Sequence, residues 1–151
     1  MGRSTAQPER GYRALSHTAD KSIEVWGPTL EELFRAAAEG LFSESTDPAQ
    51  ISADQEWAIE VQASSLDELL RAWLSELIWL AERDDAVPAH YEIFEVDKVE
   101  EGPWRVRGRA WVGPVPKASP HTGAPVKAVT YHDLRVWQDD HLWRAHLVFD
   151  V

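Results

Sequence analysis

Two stretches of this sequence combine a helix-capping signal with apolar residues at helical spacing, and they constrain the fold more than any other feature. Thr29 is followed three residues later by Glu32, and Ser65 is followed in the same way by Glu68. This spacing lets the hydroxyl and the carboxylate satisfy free backbone N–H groups where a helix begins. Apolar residues then recur three and four positions apart, which predicts that each helix lays one face on a core. The apolar positions are Leu30, Leu33, Phe34, Ala37, Leu41 and Phe42 in the first helix, and Leu66, Leu69, Leu70, Trp73, Leu74, Leu77, Ile78 and Leu80 in the second. Because the second stripe is wider, we expect the second helix to be the more buried.

Alternation of apolar and polar residues predicts β-strands in most of the remaining chain. The predicted strands cover 12–26, 56–63, 91–99 and 104–112, and a final hairpin pairs 126–137 with 142–149. The polar stretch 43–54 and the Pro/Gly-rich stretch 113–125 indicate loops. Two helices cannot cover both faces of so many strands, so the order of elements predicts an α+β fold. We expect two layers, with the two main helices on one face of a mixed or antiparallel sheet built from strand–helix–strand–strand-like units.

Charge and cysteine content exclude several classes of function. The chain has 151 residues and a formal net charge of −11, which disfavours high-affinity binding to nucleic acid because phosphate contacts need basic surface. Cysteine is absent, so disulfides, thiolate nucleophiles and cysteine-type zinc sites are excluded. The first ten residues are polar and no apolar run is long enough to span a membrane. We therefore expect a cytoplasmic protein without a membrane segment, with a disordered extension over 1–10 and one domain over 11–151.

The sequence also lacks the common catalytic signatures. It contains no glycine-rich phosphate loop, no HExxH helix and no GxSxG elbow. All six histidines fall in predicted strands or loops, so none forms a helical ligand pair, although a zinc site assembled across strands stays open. Eight tryptophans are present. Most of them are expected in the core, with Trp79 at its edge, and any exposed one would be a candidate hot spot for protein association.

Four short motifs occur in a fixed order: HTAD at 17–20, TLEELF at 29–34, VKAVTYHD at 126–133, and Asp150-Val151 at the end. In this order they resemble the archease family, small acidic proteins that activate the GTP-dependent tRNA-splicing RNA ligase. The resemblance covers about 12–151. It implies a sheet with helices on one face and a protein that is not itself an enzyme. Its implied role is to help the ligase form a guanylylated-histidine intermediate and turn over repeatedly in tRNA splicing and RNA repair.

The resemblance also implies a site. A divalent cation, calcium first and magnesium or manganese as alternatives, would be held by Asp20, Asp150 and Val151, the last through its terminal carboxylate or backbone. Lys127 corresponds to the lysine that the family needs for activation, and His17 is expected to order its loop through hydrogen bonds. Hard cations prefer oxygen ligands, and the carboxylates of Asp150 and of the chain end are only one residue apart.

The sequence departs from the family pattern around this site. Ser16 stands where an acidic residue often precedes HTAD, Pro125 where one often precedes VKA, and Pro114 where glutamate often follows glycine. The loop 113–125 therefore differs from the family pattern, and the contacts that the family makes with a partner through this loop are the least applicable to this chain.

Other interpretations of the same residues stay open. Lys127 could neutralise Asp20 and Asp150 in place of a metal, and His132 and Asp133 are expected on a strand face. A stand-alone metal-dependent hydrolase or small-molecule-binding protein would instead use Asp20, His17, His132 and Asp150. Three arginines alternate along one predicted strand, so they share one face of it. That face is either solvated or a docking stripe for an acidic or phosphate-bearing partner, and its members are Arg105, Arg107 and Arg109.

Overall fold

Both helices begin where the capping signals place them. In the computed structural model, which describes residues 9–16, 21–43, 45–116 and 126–150, α1 spans Leu30–Phe42 and α2 spans Leu66–Asp84. The backbone N–H of Glu32 donates to Thr29 Oγ1 at 3.1 Å, and that of Glu68 donates to Ser65 Oγ at 3.2 Å. The two predicted helices are confirmed.

Eight strands form two antiparallel sheets in the described part of the chain. The large sheet has the order β1-β2-β8, with β6 and β7 both pairing with the far edge of β8. The small sheet has the order β3-β5-β4. The strand bounds are Gly11–Ser16 for β1, Lys21–Gly27 for β2, Gln55–Ala63 for β3, Ala86–Lys98 for β4, Trp104–Pro114 for β5, Ala128–Val129 for β6, Arg135–Asp139 for β7 and Leu142–Asp150 for β8. The α+β class is confirmed, and two sheets replace the single sheet that was expected.

Three predicted strands have different limits in the structure. The segment 12–26 contains two strands, β1 and β2, which pair with each other antiparallel. The segment 126–137 is interrupted after β6 by a turn in which Asp133 adopts a left-handed φ of 51°. Strand β4 begins at Ala86 and runs through Pro88, whereas the predicted strand began at 91. An edge strand tolerates proline because its outward N–H has no partner to lose.

The helices contact strands of both sheets, so the core lies between helices and sheets. Helix α1 packs on β2 and β4, and α2 packs on β3, β5 and β6. Trp73 of α2 is fully buried, and its indole N–H donates to the Phe34 carbonyl of α1 at 3.2 Å. The expectation that α2 is the more buried helix was wrong. Seven of the 13 residues of α1 are buried, compared with seven of the 19 of α2, and the buried residues of α1 include the three alanines at 36–38.

The tryptophans are less deeply placed than expected. Trp26, Trp57 and Trp73 are buried, and Trp79 is 54% exposed at the edge of the core as predicted. The other four, Trp104, Trp111, Trp137 and Trp143, are half-buried. Among the helices of the described ranges, none has the length and apolar character needed to cross a membrane.

Candidate functional site

Three strands of the large sheet bring two of the predicted site residues together. Lys21 at the start of β2 lies opposite Phe149 of β8, and Val129 of β6 lies opposite the same Phe149 from the other side. Next to these pairs, the backbone N–H of Lys127 donates to the carbonyl of Asp150 at 2.8 Å. Lys127 and Asp150 are both exposed. The antiparallel register therefore makes them neighbours at one end of the sheet.

The remaining predicted ligands lie outside the described residues. These are His17, Asp20 and Val151. Within the ranges that the structure describes, no group of three or more His, Asp or Glu side chains could hold a metal ion. Of the proposed ligand set, only Asp150 is described. Its exposed carboxylate is an oxygen donor of the kind that calcium and magnesium prefer.

A turn over 130–134 follows β6. The N–H of Thr130 donates to the carbonyl of Val148 at 2.9 Å, and His146 Nδ1 lies 2.9 Å from the carbonyl of Asp133. His132 and Asp133 belong to this turn, which corrects their expected position on a strand face. The His132 side chain is 73% exposed and lies 3.2 Å from the carboxylate of Asp133. Strand β8 thus holds the turn through both its backbone and a side chain.

Helix α2 also holds the segment 129–136 in place, through side-chain hydrogen bonds. Arg71 Nε donates to the carbonyl of Val129 at 3.1 Å, and its Nη1 donates to the Tyr131 hydroxyl at 3.1 Å. One turn earlier on the helix, Asp67 Oδ1 accepts the N–H of Val136 at 2.8 Å. Sequence reasoning missed Arg71 and Asp67. The only signal in the sequence was that Asp67 and Arg71 lie four positions apart beside the apolar stripe of the helix. Acid–base pairs with this spacing are also common on helix faces exposed to solvent.

Comparison with known proteins identifies the family. A model described as "Archease protein family (MTH1598/TM1083)" matches residues 12–151. The chain belongs to the archease family. A protein archease of Methanopyrus kandleri is 39% identical over 142 residues, which cover 93% of this chain and 99% of the relative. A protein archease of Pyrococcus furiosus is 33% identical over 145 residues, covering 94% and 99% of the two chains.

Two solved structures share the fold. The solution structure of Methanobacterium thermoautotrophicum protein 1598 aligns with a TM-score of 0.78 at 25% identity, covering 93% of this chain and 99% of that one. The crystal structure of an archease from Thermotoga maritima, described as a possible chaperone, aligns with a TM-score of 0.58 at 22% identity, covering 99% and 100%. The similarity extends over nearly the whole chain in both cases.

The three arginines of the proposed docking stripe lie on the outward face of β5, each beside an acidic residue. Arg105 and Arg107 contact Glu95 at 3.0 and 2.7 Å, and Arg109 lies 3.5 Å from both Glu56 and Glu92. All four ion pairs join β5 to a neighbouring strand of the small sheet. The positive charge of this stripe is therefore balanced within the sheet, which weakens its attraction for an acidic partner.

Proposed function

We propose that this protein activates a GTP-dependent tRNA-splicing RNA ligase without being an enzyme itself. It would dock on the ligase, promote formation of the guanylylated-histidine intermediate, and permit repeated turnover. Membership of the archease family supports this role. The description of the Thermotoga maritima relative as a possible chaperone likewise points to action on another protein.

The observation that carries the proposal is the backbone hydrogen bond between Lys127 and Asp150 at 2.8 Å. It joins the two motifs that the family resemblance assigns to activation and to metal binding. Lys21, which directly follows Asp20 in the chain, lies opposite Phe149, which directly precedes Asp150. Lys127 and Asp150 therefore belong to adjoining segments at the sheet end where β2 begins.

A hard divalent cation fits the donor set of the proposal. Asp20, Asp150 and Val151 would supply carboxylate or carbonyl oxygens, and calcium is the first candidate because it accepts irregular oxygen shells completed by water. The cation would offset the repulsion between these anions. Lys127 would stay close to it, presenting a positive charge to the phosphates that the ligase handles. The acidic net charge would speed encounter with a ligase whose RNA- and GTP-binding mouth is basic.

Single-turnover guanylylation of the cognate ligase tests the proposal. The ligase is mixed with GTP and metal in the presence or absence of this protein, and the covalent intermediate is followed over time. Acceleration is expected with the wild-type protein. Lys127→Ala, Asp150→Ala and Asp20→Ala should each reduce the acceleration while leaving the thermal melting unchanged.

Two exposed residues of the small sheet supply matched controls. Lys98→Ala and Asp97→Ala remove the same charges from the end of β4 and should accelerate the ligase as well as the wild type does. If the wild-type protein gives no acceleration, the proposed function is wrong. If the control variants lose as much as the site variants, the effect is not specific to the sheet end that carries Lys127 and Asp150.

The alternative of a stand-alone hydrolase requires His17, Asp20, His132 and Asp150 to act on a substrate without a partner. Incubation of the protein alone with phosphoester substrates and divalent metal tests it. Turnover that disappears in His132→Ala would favour the hydrolase, whereas activity only in the presence of the ligase favours the activator.

A further inference from the structure

Tyr131 is the most exposed large apolar side chain of the described residues, at 66%, yet it is held in place. The Arg71 guanidinium lies 3.9 Å from the centroid of its ring, and Arg71 Nη1 donates to its hydroxyl at 3.1 Å. One face of the ring is therefore occupied by the guanidinium, and the rest faces solvent. An exposed aromatic ring normally has rotational freedom that it loses on binding. Here much of that freedom is already lost in the free protein.

The same guanidinium also fixes the backbone that precedes Tyr131. Arg71 Nε donates to the carbonyl of Val129 at 3.1 Å. Strand β6 has only two residues, Ala128 and Val129, so its pairing with β8 offers few hydrogen bonds. Arg71 thus adds a charged donor to a short edge strand and links the strand to the ring of Tyr131.

We propose that Tyr131 is the aromatic anchor through which this end of the molecule docks on its protein partner, and that Arg71 is the positioning residue that holds it in the binding orientation. This proposal rests on the proposed function, because the partner is the RNA ligase named there. Tyrosine and arginine are enriched among the residues that dominate binding energy at protein interfaces. A side chain ordered before binding saves about two- to tenfold in affinity.

The charge around the turn favours a protein partner over a nucleic acid. Asp133 lies two positions after Tyr131 in the sequence, and Asp150 of β8 pairs with Ala128 of β6. The whole chain carries a net charge of −11. A base stacked on Tyr131 would bring its phosphates towards this negative surface, with Lys127 as the neighbouring cation. A protein partner that received the phenol ring in an apolar pocket would avoid that repulsion.

Calorimetric titration of the ligase with the full-length protein tests the anchor. Tyr131→Ala should weaken binding by about tenfold or more, as expected for an interface hot spot. Tyr131→Phe keeps the ring and loses the hydroxyl, so its affinity should lie between those of the wild type and the alanine variant. Arg71→Leu should weaken binding several-fold, and Arg71→Lys should recover only part of the loss because lysine cannot reproduce the planar fork.

Helix α2 carries a matched control. Arg83 lies 5.1 Å from the ring centroid of Trp79, which is 54% exposed, so this pair repeats the arrangement of an arginine on an exposed aromatic ring. Its exposure makes Trp79 the competing candidate hot spot, and an anchor at Tyr131 predicts that Trp79→Ala and Arg83→Leu leave the affinity for the ligase unchanged. If they weaken it as much as Tyr131→Ala and Arg71→Leu do, binding depends on α2 in general and the assignment is overturned.

Hydrogen exchange gives a readout of Arg71 that does not depend on the ligase. In Arg71→Leu, the amides of Thr130 and Leu134 should exchange about tenfold faster than in the wild type, as expected from the loss of hydrogen bonds to a charged group. Amides of the small sheet should exchange at the wild-type rate. Unchanged exchange at Thr130 and Leu134 would overturn the positioning role.

Failure of this inference is distinguishable from failure of the proposed function. If Tyr131→Ala binds the ligase with wild-type affinity, the assignment of Tyr131 as the anchor is wrong, even if the wild-type protein accelerates guanylylation. If the wild-type protein binds through Tyr131 but gives no acceleration, the anchor stands and the activator function is wrong. If the wild-type protein does not bind the ligase, both are overturned. Weaker binding of Tyr131→Ala to single-stranded RNA, with ligase binding unaffected, would assign the ring to nucleic acid.

Discussion

Gly108 offers a direct test of how tightly the edge strand β4 packs against the central strand β5 of the small sheet. It lies on the inward face of β5, opposite Ile93 of β4. A Cβ atom added there would lie 2.7 Å from the carbonyl oxygen of Glu92 and 3.3 Å from the Cα of Ile93. Both are backbone atoms, so the clash cannot be relieved by turning a side chain. The ladder between β4 and β5 must shift locally to admit one methyl group.

The expected cost of Gly108→Ala follows from this geometry. Overpacking of a well-filled interior costs about 1–3 kcal/mol. For a protein of this size each kcal/mol corresponds to about 2–4 °C in Tm, so thermal unfolding followed by circular dichroism should show a decrease of about 2–12 °C. Gly102 in the turn between β4 and β5 is the control, because a Cβ there would meet its nearest atoms, those of Val99, at 3.5 Å.

Gly102→Ala should melt at or slightly above the wild-type temperature. Its backbone does not adopt a positive φ, so alanine fits without strain and restricts the unfolded chain. If Gly108→Ala melts within about 1 °C of the wild type, below the range that overpacking predicts, the close approach between β4 and β5 is wrong. Equal losses in both variants would show that glycine matters here for a reason other than space.

Three further outcomes are expected. Asp67→Ala leaves the N–H of Val136 without its acceptor and should lower the free energy of unfolding in urea by about 1–3 kcal/mol, whereas Asp67→Asn, which keeps an oxygen acceptor, should lose less. Hydrogen bonds from Arg83 and then from Trp57 lower the pKa of Asp84 from 3.8 to about 2. The stability from ionised Asp84 is therefore present above pH about 4 and lost as the pH falls towards 2. Asp84→Asn should reduce the dependence of Tm on pH between these values. If the slope of Tm against pH is the same as in the wild type, ionised Asp84 does not contribute. Residues appended after Val151 should weaken calcium binding measured by calorimetry, whereas the same residues added at the N-terminus should not; equal affinities would argue against a terminal ligand.

The sequence predicted the helices well because their start signals are local. A hydroxyl and a glutamate three residues apart determine where a helix begins without help from the rest of the fold. Strand 55–63 was predicted within one residue for a similar reason, since its alternation is regular from Glu56 onwards. The strand 142–149 was predicted equally well, whereas the limits of 12–26, 91–99 and 126–137 were less accurate. The strand predicted from 91 begins at Ala86 and includes Pro88, which an edge strand can contain.

Sheet pairing and the contacts of the site could not be predicted from local pattern. Alternation persists on both sides of 17–20, so nothing in it separates β1 from β2. The division into two sheets depends on which strands pair, and β2 pairs with β8 from the opposite end of the chain. Arg71 reaches Val129 and Tyr131 across about 60 positions of sequence, and a solvated arginine on a helix has the same local pattern. The adjacency of Lys127 and Asp150 was expected only from the family resemblance.

The position of β8 has a consequence for how the protein is made. This strand is synthesised after every other described element, but it lies between β2 and the pair β6 and β7 in the large sheet. On the ribosome, β2 can pair with β1, but its other edge has no partner while both helices and the small sheet emerge. Pairing over such a sequence distance must close a long loop, which slows folding. The end of the molecule that carries Lys127 and Asp150 is thus assembled last, so a nascent chain lacking β8 cannot yet present these groups to a partner.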